Sequence, residues 1–227
     1  MNSTKTPLLP VVWLLCLSLT VALAGCTPAA SLYLDPDGGA PPSAAASRAA
    51  VLLHPFTEAF AAQSPIGSHR HLRDKETRLL IKPGQMGDAL QAILLRELTA
   101  KQIAAAPDTA RWNLSPEGLV AFKEPARLLL AGRITALRIN ADETLFTGKA
   151  RAEMEVECVL GLVREQKVIR RNVHVSQEMV TVSLDQPALE KLLRNCLAAA
   201  SQEILAQCGD LVATLSASPG QLTRTMQ

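Results

Sequence analysis

The sequence predicts an α+β fold: a two-layer domain, with a mixed sheet of about four to five strands and two helices packed on one face, preceded by an apolar leader and a flexible tether. Three observations carry this. Apolar residues recur at helical spacing over residues 85–105 and again over 186–208. Between them, two runs alternate apolar and polar residues with the period of a strand. In chain order the pieces run strand, strand, helix, three strands, helix, which suits helices gathered on one face of a sheet.

Composition sets the bounds. The chain has 227 residues, enough for one domain. It is 48% hydrophobic but only 3% aromatic, so aliphatic side chains must fill the core. So few aromatics argue against surfaces that stack bases. A net charge of +2 lacks the basic field of a nucleic-acid binder.

Residues 1–25 carry one charge, Lys5, ahead of an uninterrupted apolar run from Val11 to Leu17. A membrane span needs about 20 apolar residues, so this run is too short. A basic residue before it and small residues after it are the layout of an export signal. Residues 26–47 are rich in Ala, Pro, Gly and Ser and predict a flexible tether. Within it, the apolar Leu32-Tyr33-Leu34 has the character of a piece that docks on the body. The folded domain spans 48–215, and a polar, flexible tail spans 216–227.

Inside the domain, "AVLLHPF" (50–56) predicts a buried strand stopped by proline, and residues 57–76 an irregular connection. "TRLLIKPG" (77–84) is a second strand ended by Pro83-Gly84. Met86, Leu90, Ile93, Leu94 and Leu98 stripe the first helix, Gln85 to about Ala105. Residues 107–125 read as a loop with one helical turn, capped by Ser115 with Pro116 at its first position. Residues 126–139 are apolar on both faces in their first half, which suits a central strand. From Ala150 to Leu162 the even-numbered residues Ala150, Ala152, Met154, Val156, Cys158, Leu160 and Leu162 face inward, and Arg151, Glu153, Glu155 and Glu157 face out. In the next run Arg170, Asn172, His174, Ser176 and Glu178 lie opposite the apolar side. These runs predict a hairpin turning at Glu165-Gln166, with Val163 opposite Val168 and Glu157 opposite His174. The last helix (186–208) starts at an Asp185 cap with Pro187 just inside, and Gly209 ends it.

The chemistry searched for is mostly missing. No phosphate loop, nucleophile elbow or HExxH occurs. Four histidines remain, His54, His69, His71 and His174. His69-Arg70-His71 alternate as two ligands of one metal would, but Arg70 and Arg73 oppose a cation. The segment is read as a solvated loop, and no metal and no cofactor is expected. No catalytic residue is assigned and an enzyme is not expected. Arg70, Arg73, Glu153, Glu155, Glu157, Arg170 and His174 are the candidate partner-binding residues, on a basic patch and on the charged hairpin face. Cys158, Cys196 and Cys208 read as three buried thiols. Cys196 and Cys208, in one helix, stand about 18 Å apart and cannot pair. A bridge from Cys158 to either stays open.

Leu23-Ala24-Gly25-Cys26, just behind the apolar run, resembles the lipobox of bacterial lipoproteins. The resemblance implies cleavage between Gly25 and Cys26 and a diacylglyceryl group on the Cys26 thiol. It also implies anchoring in a membrane by several acyl chains. Thr27 in place of aspartate implies the inner leaflet of the outer membrane, facing the periplasm. With "YLDPD" (33–37), "VLLHPF", "LLLAGRITALRI" and the two helices, the chain resembles YajG-type lipoproteins and the auxiliary lipoproteins of ABC transport systems. That resemblance implies a non-enzymatic binding, auxiliary or assembly factor of an envelope system, such as ABC-type lipid transport. Its partner would be an envelope protein or a lipid, and not nucleic acid. A lipid- or ligand-binding periplasmic module and an activator of a cell-wall synthase are the alternatives.

Overall fold

Along the chain, the computed structural model runs β1 (Ala29–Leu32), β2 (Val51–Leu53), β3 (Thr57–Glu58), β4 (Gly67–Arg70) and a short 3-10 turn (Leu72–Asp74). It continues through β5 (Glu76–Ile81), α1 (Gln85–Ala100), β6 (Ala105–Pro107) and α2 (Pro116–Leu119). It ends with β7 (Leu128–Glu143), β8 (Gly148–Leu162), β9 (Lys167–Thr181) and α3 (Gln186–Gln207). The structure describes residues 28–34, 49–61, 64–108, 112–120, 122 and 128–209. The leader, the cleavage pair Gly25 and Cys26, and the tail lie outside these residues.

The described strands form one nine-stranded mixed sheet. The expected four to five strands are therefore an undercount, and the described residues hold a third short helix, α2, at the expected helical turn. β7 is the axis of the sheet. On one flank β8 pairs antiparallel with nearly its whole length, and β9 pairs antiparallel with β8. On the other flank β2, β3 and β4 lie end to end, all parallel to β7, opposite Leu128–Leu130, Arg133–Ile134 and Ile139–Asp142. β6 adds beside β2, while β5 and then β1 add beside β4.

The short strands were hidden for physical reasons. β4 sits inside the expected irregular connection because its inward residues are Gly67 and His69, with no apolar alternation to mark them. The first helix stops at Ala100, short of Ala105. Three alanines, the best helix formers, masked the break. Gln102 takes a left-handed φ of 59°, which turns the chain into β6.

The main core lies between the sheet and α1 with α3. Leu90, Leu94, Leu193, Leu197 and Ala200 pack there against Ala152, Met154 and Val156. A second cluster on the opposite face gathers Trp112 and Leu119 over Leu129, Ala131, Val159 and Val163. The sheet is thus buried on both sides where β7 begins, as its first half implied. α2 covers that patch, so the charged hairpin face is open only farther along. The α2 cap is as expected, with Ser115 Oγ accepting from Gly118 N at 3.3 Å. Asp185 likewise caps α3, accepting from Ala188 N at 2.9 Å.

The β8–β9 pairing keeps the expected faces but shifts by two residues. Glu155, not Glu157, stands opposite His174, and Leu162 pairs Lys167. Four residues make the turn, with Gln166 at φ 51° and its Nε2 donating to Val163 O at 2.9 Å. Burial of Val163 in the second cluster takes it out of the ladder and sets this register. Leu32 and Leu34 are buried in the main core, so the expected docking of Leu32-Tyr33-Leu34 is seen. Tyr33 N donates to Glu190 at 2.9 Å.

Candidate functional site

Six strand ends meet at one end of the sheet: the starts of β1, β5 and β8, and the ends of β4, β7 and β9. The registers require this, because Ala29 pairs Arg78, Arg70 pairs both Glu76 and Asp142, and Gly148 pairs both Glu143 and Thr181. Between β7 and β8, Thr144 and Thr147 close a tight turn by mutual backbone and hydroxyl hydrogen bonds. Locked that way, the turn holds Leu145 and Phe146 in solvent, 78% and 81% exposed. Val180 and Val182, 69% and 86% exposed, stand beside it at the end of β9. Leu72 is exposed in the 3-10 turn nearby. Exposed Arg70, Arg73, Lys75, Arg78 and Lys149 ring this apolar tip, against the acidic Glu76 and Asp142. The sequence signal for the tip is two large apolar residues in a turn between threonines.

Beneath the rim lies a histidine–carboxylate cluster. His69 and His71 are alternate residues at the end of β4, so both rings project to one side, with centroids 3.9 Å apart. Glu143 reaches them from β7. A bulge at Thr135 makes this possible, because the β7–β8 register skips one residue between Ile134 and Ala136. Before the bulge the even-numbered residues of β7 face the main core, and after it the odd ones do. Without it, Glu143 would point to the far face. Glu143 Oε2 stands 3.5 Å from His69 Nε2 and 3.3 Å from His71 Nδ1. Its Oε1 accepts from Leu184 N at 3.1 Å. His71 Nε2 meets Thr77 Oγ1 at 2.9 Å. His69 is only 5% exposed. Burial, reinforced by His71, pulls its pKa below the ordinary histidine value and favours the neutral ring. The segment is thus a strand end aimed inward, and the solvated-loop reading of His69 is corrected. Arg70 points to the other face and lies 3.8 Å from Asp142, so it does not oppose a charge held by the histidines.

β4 can approach β7 this closely because residue 67 is glycine. A Cβ there would collide with the Ile139 backbone carbonyl.

The structure separates the candidate partner-binding residues into two groups. Arg70 and Arg73 belong to the tip. Glu153, Glu155, Glu157, Arg170 and His174 share the outer face of β8 and β9, already paired among neighbours. Arg170 meets Glu157 at 2.7 Å, Arg151 meets Glu153 at 2.7 Å, and His174 lies 3.7 Å from Glu155. Exposed pairs of this kind contribute little energy, so the face is solvated and ordered rather than reactive. His54 is elsewhere, 3.4 Å from Asp108 and packed on Trp112 and Phe122.

The class this geometry defines is an α+β sheet domain with an apolar tip and a partly buried histidine–glutamate cluster. No family model and no curated protein matches the chain. Among solved structures it is similar to protein XCC0632 of Xanthomonas campestris, of family model DUF330. That likeness has 14% identity and a TM-score of 0.47, over 82% of this chain and 99% of that one. It is similar to a minor lipoprotein of Acinetobacter baumannii, with 14% identity and a TM-score of 0.38 over 73% and 94%. A third is rare lipoprotein B of Shewanella oneidensis, with 7% identity and a TM-score of 0.35 over 72% and 98%. At these values they are likenesses of overall shape, and nothing about function follows from them. Among the described residues no helix is long and apolar enough to cross a membrane.

Proposed function

We propose that the chain is a bacterial lipoprotein, cleaved after Gly25 and lipidated at Cys26. It is held on the inner leaflet of the outer membrane, where it acts without catalysis as a binding or auxiliary factor of an envelope system. The observation that carries this is where β1 begins. Ala29 enters the sheet three residues after Cys26, a reach of about 10 Å. A lipid on Cys26 therefore draws the tip end of the sheet to the bilayer. That end carries the exposed Leu145, Phe146, Val180 and Val182 with their basic rim, which is the chemistry of a membrane-contacting surface. Most of the Ala/Pro-rich stretch follows β1 and cannot set the domain off from the membrane. The opposite end of the sheet and the charged hairpin face are left to meet a partner.

Mass spectrometry of the mature protein tests the anchor. The expected first residue is Cys26 carrying acyl chains, and Cys26→Ser stays unprocessed and unlipidated. A mature chain with a free Cys26 thiol overturns the reading. Crosslinking in the intact envelope then separates the roles. A transport permease, a cell-wall synthase or a co-extracted lipid each points to a different one.

A further inference from the structure

We propose that His69, His71 and Glu143 form a binding site for a divalent transition metal, with zinc the fitting ion. The donor set is two imidazoles and one carboxylate, which suits zinc and leaves a coordination position for water. Each ligand atom is already placed. In a tetrahedral zinc site, bonds of about 2.0–2.1 Å put neighbouring ligand atoms roughly 3.3 Å apart. Glu143 Oε2 stands 3.3 Å from His71 Nδ1 and 3.5 Å from His69 Nε2. All three ligand atoms lie within 4.8 Å of one another.

A second observation points the same way. His69 Nε2 is buried and has no hydrogen-bond partner. A polar atom in that state is costly unless something binds it, and a metal ion would. The outer contacts are those of a metal site as well. Thr77 Oγ1 holds His71 Nε2 and so presents Nδ1 to the centre, while Leu184 N holds the far oxygen of Glu143. His71 and Glu143 are partly exposed, so the open side faces solvent and gives an ion its way in. With neutral rings the site carries one negative charge, which a divalent ion over-compensates by one.

The proposal is independent of the membrane anchor. It is tested on the full chain, purified in detergent and stripped with a chelator. Zinc is titrated against a chromophoric competitor, and Co²⁺ is added as a visible probe. The expected result is one ion per chain with a Kd of about 1 μM or tighter. The cobalt form should show the strong visible absorption of a four-coordinate site. His71→Ala and Glu143→Gln each weaken binding roughly a hundredfold or more, and Thr77→Val about tenfold. His71 is partly exposed, so its variant keeps the fold, as circular dichroism will show. His174→Ala, removing an exposed histidine beside Glu155, leaves binding unchanged. Binding no tighter than about 100 μM overturns the proposal, as does binding that His71→Ala and Glu143→Gln leave intact.

Discussion

Cys158, Cys196 and Cys208 are all buried in the main core as free thiols, and each has a different electrostatic setting. Burial alone pushes the Cys196 thiol up to about 12. A hydrogen bond with Cys208, then burial, raises Cys158 well above the ordinary thiol range. The sign of the consequence is fixed by linkage. Above the ordinary thiol value of 9.0 the unfolded chain sheds the Cys196 proton while the native chain keeps it. The stability that Cys196 contributes is complete below pH 9.0 and drains away between pH 9.0 and about 12. Melting temperature should therefore fall with pH above 9 more steeply in the native protein than in Cys196→Ala. Equal slopes would show that Cys196 ionises freely in the fold. At this scale the sequence was informative about identity and poor about direction. Cys158 on the apolar side of a strand, and Cys196 and Cys208 in the last helix, announced buried thiols. Glu143 announced nothing, because only the bulge at Thr135 turns it toward His69 and His71, and no residue type marks a bulge there.

Elements show the same division more sharply. α1, α3, β7, β8 and β9 were legible because each is long and buries a periodic stripe. β1, β3, β4 and β6 span two to four residues each and hold their places by backbone pairing, which leaves no pattern in side chains. β3 nevertheless has a structural task. The N-cap of α1 is Gly84, at φ 82° and with no side chain to offer. Glu58, from β3, supplies the cap across space. Its Oε2 accepts from Gly84 N at 2.9 Å and its Oε1 from Met86 N at 2.9 Å. It also brings a negative charge to the positive end of the helix. Glu58→Ala should cost about 1–2 kcal/mol, and for a domain of this size lower the melting temperature by roughly 2–8 °C. Glu58→Gln should recover part of the loss, since one oxygen still accepts. An unchanged melting temperature for Glu58→Ala would mean that α1 is capped by water instead.

At the scale of the molecule the sheet is polarised. One end is dry on both faces, closed by α2, Trp112 and Leu119. The other end exposes large apolar residues where β1 begins, at Ala29. A polar tip would cost the fold little, because Leu145 and Phe146 are largely exposed. Contact outside the chain accounts for large apolar residues in a turn fixed by two threonines, and the proposed anchor at Cys26 makes the bilayer the expected contact. Each basic residue near an anionic surface adds about 1 kcal/mol, and the rim has more basic than acidic members. A tryptophan placed at the tip reports directly. Phe146→Trp in the lipidated full chain should shift its emission to the blue on reconstitution into vesicles, and brominated phosphatidylglycerol should quench it. Trp112 is buried at the far end of the sheet and provides the unquenched baseline in the native protein. Leu145→Glu added to Phe146→Trp should abolish the quenching while acylation keeps the protein on the vesicle. Quenching absent from Phe146→Trp itself would mean that the tip stays out of the lipid and that the domain leans away from the bilayer.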